Sequence, residues 1–161
     1  RSEFMGKWTI DILEPDDDIN IAVDNLGNEI GKLYAESWRE DKEPHYKKPF
    51  SLNVAAFAQM WYAKTLKIFI AYDERHEPVG YLIGMVFRPL PYEASVFKVE
   101  DWYTRGDTRL EEALFAHAAQ AIRYIGCDEL WVADDAGDRI PPVPVAWVEE
   151  NKFTLRRYKK K

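Results

Sequence analysis

The chain has 161 residues, 47% of them hydrophobic and 31% charged, with a formal net charge of −6. This composition suits a single soluble globular domain and excludes a disordered chain, and the acidic balance argues against non-specific nucleic-acid binding. No apolar run reaches the roughly 18 residues of a membrane span, and one cysteine, Cys127, excludes an internal disulfide framework and suits a reducing, cytoplasmic setting.

The first four residues, RSEF, precede Met5 and look like a translated pair of cloning sites. Residues 5–161 are therefore taken as one domain, with no signal peptide before it. In KWTIDILEP, Trp8, Ile10 and Ile12 alternate with polar neighbours, which predicts a first strand. From Asp16 to Trp38, the apolar residues Ile19, Val23, Leu26, Ile30 and Leu33 recur at helical spacing. Asp16–Asp18 suit that helix's N-terminus. REDKEPHYKKPF reads as a polar connection, and Ser51 as the cap of a second helix whose apolar face is Val54, Phe57, Met60 and Trp61.

Two strands follow, LKIFIAYDE and PVGYLIGMVFRPL, joined by the turn RHEP. The second is apolar on both faces and so belongs in the middle of a sheet. SVFKVEDWY is the next strand, and the stretch from Trp102 to Gly126 leads through one Arg-Gly turn into a long amphipathic helix. DELWVADD predicts a strand, PPVPVAWVEENK a proline-broken loop with a short helix, and FTLRRYKK a last strand. The order predicts an α/β (α+β) fold, a mixed sheet of about six strands with helices on both faces.

TRGDTRLEE, leading into the long helix, admits two readings. Backbone amides at a helix N-terminus can hold a phosphate, with Arg105 or Arg109 adding charge. Alternatively, Thr108 caps the helix and Glu111 closes a capping box, so that side chains occupy those amides and nearby acids repel an anion. Of the histidines, His76 falls in a turn, His117 near an apolar helical face, and His45 in the loop after the first helix. No pair has metal-ligand spacing. Cys127 reads as a small packed residue. The clusters HYKKPF and LRRYKKK read as solvated basic surface or as contacts for an acidic group.

The element order and VEDWYTRGDTRLEEAL resemble the GNAT acetyltransferase superfamily, from about Trp8 to Tyr158. Val99, Tyr103, Arg105, Gly106, Ala113 and Leu114 resemble the superfamily's strand end, Arg-Gly turn and helix. Glu149 and Phe153 resemble its late segment. The resemblance implies a mostly antiparallel GNAT-like sheet and transfer of acetyl from acetyl-CoA, as substrate, to an amine or protein acceptor. It implies coenzyme A contacts by Val99, Arg105, Gly106, Asp107, Thr108, Arg109 and Leu110. It also implies a strand edge for pantetheine and a homodimer, the common family state. Glu93 resembles the glutamate that takes the acceptor's proton, which an ammonium (pKa about 10.4) must lose before it attacks. Glu100 and Asp101 are alternatives. The departures are the missing loop glycines beyond Gly106, Val148 where the family has an acid tyrosine, and Lys152 where it has glycine. They favour a second reading, a GNAT-fold binding or structural module without catalysis, of a kind that occurs among bacteriophage proteins.

Overall fold

The computed structural model describes residues 2–5, 7–13, 30–133, 139–150, 152, 153, 156 and 158–161, with the backbone alone for 2–5. Six strands pair in chain order: β1 (Ser2–Met5), β2 (Trp8–Leu13), β3 (Leu66–Tyr72), β4 (Pro78–Phe87), β5 (Val96–Tyr103) and β6 (Glu129–Val132). The first five form an antiparallel meander, and β6 joins β5 in parallel. The parallel step needs a crossover, which is the long helix α4 (Thr108–Tyr124). A mixed, mostly antiparallel sheet of six strands with helices is what the sequence predicts. Its first strand, however, lies in the segment set aside as RSEF.

Side-chain alternation divides the core between the two faces of the sheet. Phe69, Ala71, Leu82, Phe97 and Val99 pack with Leu110, Leu114, Phe115, Ala118 and Ile122 of α4. The neighbouring positions Ile68, Ile70, Tyr81 and Ile83 pack on the other face, with Leu33, Phe57 and Trp61. These last three come from α1 (Gly31–Ser37) and α3 (Val54–Tyr62). β4 lies inside the sheet, as its continuous apolar run predicts.

Several local expectations change. The cap of α3 is Asn53, whose side chain accepts from Ala56 N–H at 3.1 Å, and not Ser51. Val54 is half exposed and stays out of the core. The expected polar connection after Trp38 is helical instead: a π-helical turn (Trp38–Lys42) leads directly into α2 (Glu43–Tyr46). Pro44 has no N–H for the carbonyl four residues back, so the helical ladder must readjust there. Glu43 N–H donates to Trp38 C=O, five residues back, and Lys47 ends the helix at φ 54°. His45 thus sits on a helix rather than in a loop. The expected late helix is a turn at Val145–Trp147, and the described residues of FTLRRYKK lie outside the sheet. The first turns of the helix predicted from Asp16 fall outside the described residues. His117 is buried with its ring edge-on to Phe69, and Cys127 is buried, both as expected.

Candidate active site

The site begins with a phase break in β5. Ile83 pairs with Asp101 but Gly84 pairs with Val99, so Glu100 is an extra residue, a β-bulge. A bulge shifts the alternation by one. Phe97 and Val99 face α4, and so does Trp102, while Asp101 and Tyr103 turn to the α1 face.

The bulge follows the last β5–β6 pair among the described residues. Ser95 C=O accepts from Glu129 N–H (3.3 Å), and Val99 C=O accepts from Ala133 N–H (2.9 Å). Val99 opposite Val132 is the last pair. Beyond it, β5 has no strand partner on its β6 side among the described residues. The next acceptor on that edge is Trp102 C=O, which takes a 2.9 Å hydrogen bond from Arg139.

β5 then runs into a tight turn at the head of α4. Arg105 (φ 54°) and Gly106 (φ 80°) are both left-handed, and for arginine this conformation costs about 1–2 kcal/mol. The cap is Asp107, not Thr108. Its carboxylate accepts from the amides of Arg109 (3.2 Å) and Leu110 (3.1 Å). Leu110 is buried under the helix, whereas Thr108 and Arg109 are exposed. Burial pushes the Glu111 carboxyl up from its ordinary range.

Arg105 points away from the helix head. Its Nε donates to Glu36 Oε2 at 2.8 Å. Tyr103 Oη lies 2.7 Å from that oxygen and 2.8 Å from Glu40 Oε2. The Arg105 and Tyr103 hydrogen bonds hold the Glu36 carboxyl below its ordinary value. Burial, then the two glutamates, push the Tyr103 phenol up. The turn is thereby fastened to α1.

Asp101 is the most buried carboxylate of the site, with its residue 3% exposed. Tyr81 Oη–H donates to its Oδ2 at 2.7 Å. Lys42 Nζ stands 3.4 Å from Oδ1, and Arg139 Nη2 stands 3.8 Å from it. Burial and the Asp101 charge raise the Tyr81 phenol far above its ordinary value. Lys42 reaches Asp101 from the π-helical turn, which gives that irregular turn a role in the site.

The turn also borders an open cleft of about 460 Å³, which includes Lys7, Asp73, Arg75, Thr104, Arg105 and Asp107 in its walls. Its charges are mixed, and its walls are shared between the β2 and β3–β4 turn side and the head of α4, where Thr104, Arg105, Asp107 and Leu110 line it.

Glu93 lies in the exposed loop before β5 rather than on the strand. Val99 lies within β5, four residues before its end, and Arg105, Gly106, Asp107, Thr108, Arg109 and Leu110 form the turn and the head of α4. Sequence reasoning missed Lys42, Tyr81 and Arg139. The bulge left a trace, because buried positions 97, 99 and 102 of VFKVEDWY break the two-residue period.

No protein-family model matches the chain, and no curated protein matches it. Solved structures do match over nearly its whole length. One is an aminoglycoside acetyltransferase from an uncultured soil metagenomic sample, in complex with sisomicin (TM-score 0.65, 16% identity, covering 96% of this chain and 97% of the other). Another is a ribosomal-protein-alanine N-acetyltransferase from Brucella melitensis (TM-score 0.60, 12% identity, 92% and 98% covered). A third is a GNAT family acetyltransferase from Staphylococcus aureus (TM-score 0.54, 9% identity, 92% and 98% covered). The chain has the GNAT acetyltransferase fold. Among the described residues, no helix is long and apolar enough to cross a membrane.

In this GNAT fold the Asp107 cap has a measurable cost of removal. Asp107→Ala is expected to lower the unfolding free energy by about 1 kcal/mol, the usual value of an N-cap. The urea midpoint reads it, and an unchanged midpoint would show that the cap contributes nothing.

Proposed function

We propose that the chain is a GNAT-like N-acyltransferase that moves acetyl from acetyl-CoA to an amine. The observation that supports this reading is the β5 edge, which beyond Val99 has no strand partner on its β6 side among the described residues and runs straight into a helix N-terminus. Pantetheine is an extended diamide and can pair with such an edge as a strand would. Its pyrophosphate would then lie against the amides of Arg105 to Leu110, at the positive end of α4.

In this reading Asp101 takes the role first assigned to Glu93, because Asp101 stands beside the open edge and Glu93 does not. Asp101 receives one proton from the acceptor ammonium. The freed nitrogen lone pair attacks the thioester carbonyl, and donors near Val99 stabilise the oxyanion. The C–S bond then breaks. The second nitrogen proton passes to the departing thiolate, giving the amide and coenzyme A. Val148 supplies no acid, and a thiolate leaves without one.

A second reading, a GNAT-fold binding module without turnover, is favoured by the Asp107 carboxylate, which occupies two of the amides a phosphate would use. Calorimetry with acetyl-CoA and coenzyme A tests the binding on which the acyltransferase reading depends. A Cβ at position 106 meets no heavy atom within 4 Å. Gly106→Glu is expected to weaken acetyl-CoA at least tenfold. Gly106→Ala carries the same backbone strain without the charge and separates the two effects. Equal affinity in the glutamate variant would remove the loop assignment, and no binding by the unmodified protein would remove the acyltransferase reading.

A further inference from the structure

The open edge of β5 is not bare. Trp102 C=O, its next acceptor after Val99 C=O, is taken by Arg139 Nη1 at 2.9 Å. The guanidinium carbon lies 3.7 Å from the centre of the Trp102 ring. Its Nη2 lies 3.8 Å from Asp101 Oδ1. One side chain thus covers a backbone acceptor, an indole face and the buried carboxylate of the site. The carbonyl and the carboxylate are surfaces that a ligand on this edge would need. An amide N–H laid along β5 as a strand would donate to the same carbonyl. An acceptor amine approaching Asp101 would meet the same cation.

From this we infer that Arg139 is an internal occupant of the β5 edge, and that acyl-CoA binds only by displacing it. The inference rests on the acyltransferase reading above. The resting protein is latched, because the arginine's contacts with Trp102 C=O and Asp101 are ones that the incoming pantetheine and amine must replace. A charge-assisted hydrogen bond with stacking is strong enough to lower affinity about tenfold. Asp101 is not stranded when the latch opens, because Lys42 Nζ and Tyr81 Oη remain beside it.

The test is calorimetric titration of acetyl-CoA, and of acetyl-pantetheine, into the unmodified chain, Arg139→Ala, Arg139→Gln and Arg139→Lys. Urea unfolding of each variant checks the fold. Arg139→Ala and Arg139→Gln are expected to bind both probes about tenfold more tightly, while Arg139→Lys stays near the unmodified value. A merely structural arginine would not raise affinity when removed. Equal affinity across the series overturns the latch and leaves the acyltransferase reading standing. Weaker acetyl-CoA binding with unchanged acetyl-pantetheine binding also overturns it, and makes Arg139 a phosphate contact. No binding of either probe by any of the four proteins removes the acyltransferase reading and the latch together.

Discussion

Asp101→Ala is expected to lower the unfolding free energy by about 3 kcal/mol, at the low end of the range for breaking a buried ion pair from one side. The Asp101 side chain is 4% exposed and that of Lys42 is 12% exposed. Removing the carboxylate takes from the Lys42 ammonium a buried counter-charge 3.4 Å away. It also leaves the Tyr81 hydroxyl without its 2.7 Å acceptor, and a buried unsatisfied donor costs about 1–3 kcal/mol by itself. Arg139 loses less, because it keeps Trp102 C=O and the indole face. Asp101→Asn retains an oxygen for Tyr81 and should lose about half as much. A double-mutant cycle with Tyr81→Phe separates the hydrogen bond from the ion pair. A loss under about 1 kcal/mol in Asp101→Ala would show that water replaces the network at little cost. If Asp101 receives the acceptor's proton, Asp101→Asn also lowers turnover about 10²–10⁴-fold.

Gly84→Ala is the second substitution with a large expected effect. An added Cβ would fall 2.3 Å from Phe97 Cζ and 2.8 Å from Lys98 C=O. The ring can move only by shifting its packing against Phe69, and the carbonyl belongs to β5 beside the bulge. Overpacking of this kind costs typically about 1–3 kcal/mol, occasionally more. The stiffer unfolded chain returns about 0.4–1 kcal/mol. With a backbone atom in the way, the clash belongs at the upper end, and a net loss of about 2–3 kcal/mol is expected. Thermal or urea unfolding measures the loss. A methyl group accepted at no cost would mean that β5 can slide, and that Gly84 does not define the bulge.

The sheet was legible because its signals are local. LKIFIAY and PVGYLIGMVF carry enough apolar side chains for buried strands on any partner, and the spacing of Leu110, Leu114, Phe115 and Ile122 makes one helical face. The RSEF segment became an edge strand for the opposite reason. Backbone pairing with Trp8–Asp11 needs no side-chain pattern. The helix head was legible in place but not in detail: Asp107 rather than Thr108 caps it, one residue earlier, because Gly106 turns the chain there.

The chemistry was harder to see. Lys42, Tyr81, Asp101 and Arg139 lie on four separate segments of the chain and meet only when the sheet and its helices have assembled. Glu93 was favoured on its distance along the chain from Val99, but β5 starts at Val96 and leaves Glu93 in the loop. The bulge adds a second difficulty. It inverts which residues of β5 face α4, so Asp101 reaches the site only after a shift that Gly84, on the neighbouring strand, permits.

The order of the sheet has a further consequence, for how the molecule assembles. β3, β4 and β5 are joined through the short segments 73–77 and 88–95, and the entropy of closing a loop rises with its length. These hairpins can therefore pair early and at low cost. β2 must wait for the long helical excursion before β3, and β6 for the passage of α4. Trp102 C=O can meet Arg139 only after β6 has docked. The groove proposed for acyl-CoA is thus a late product of folding, formed on a central meander that needs neither end of the chain.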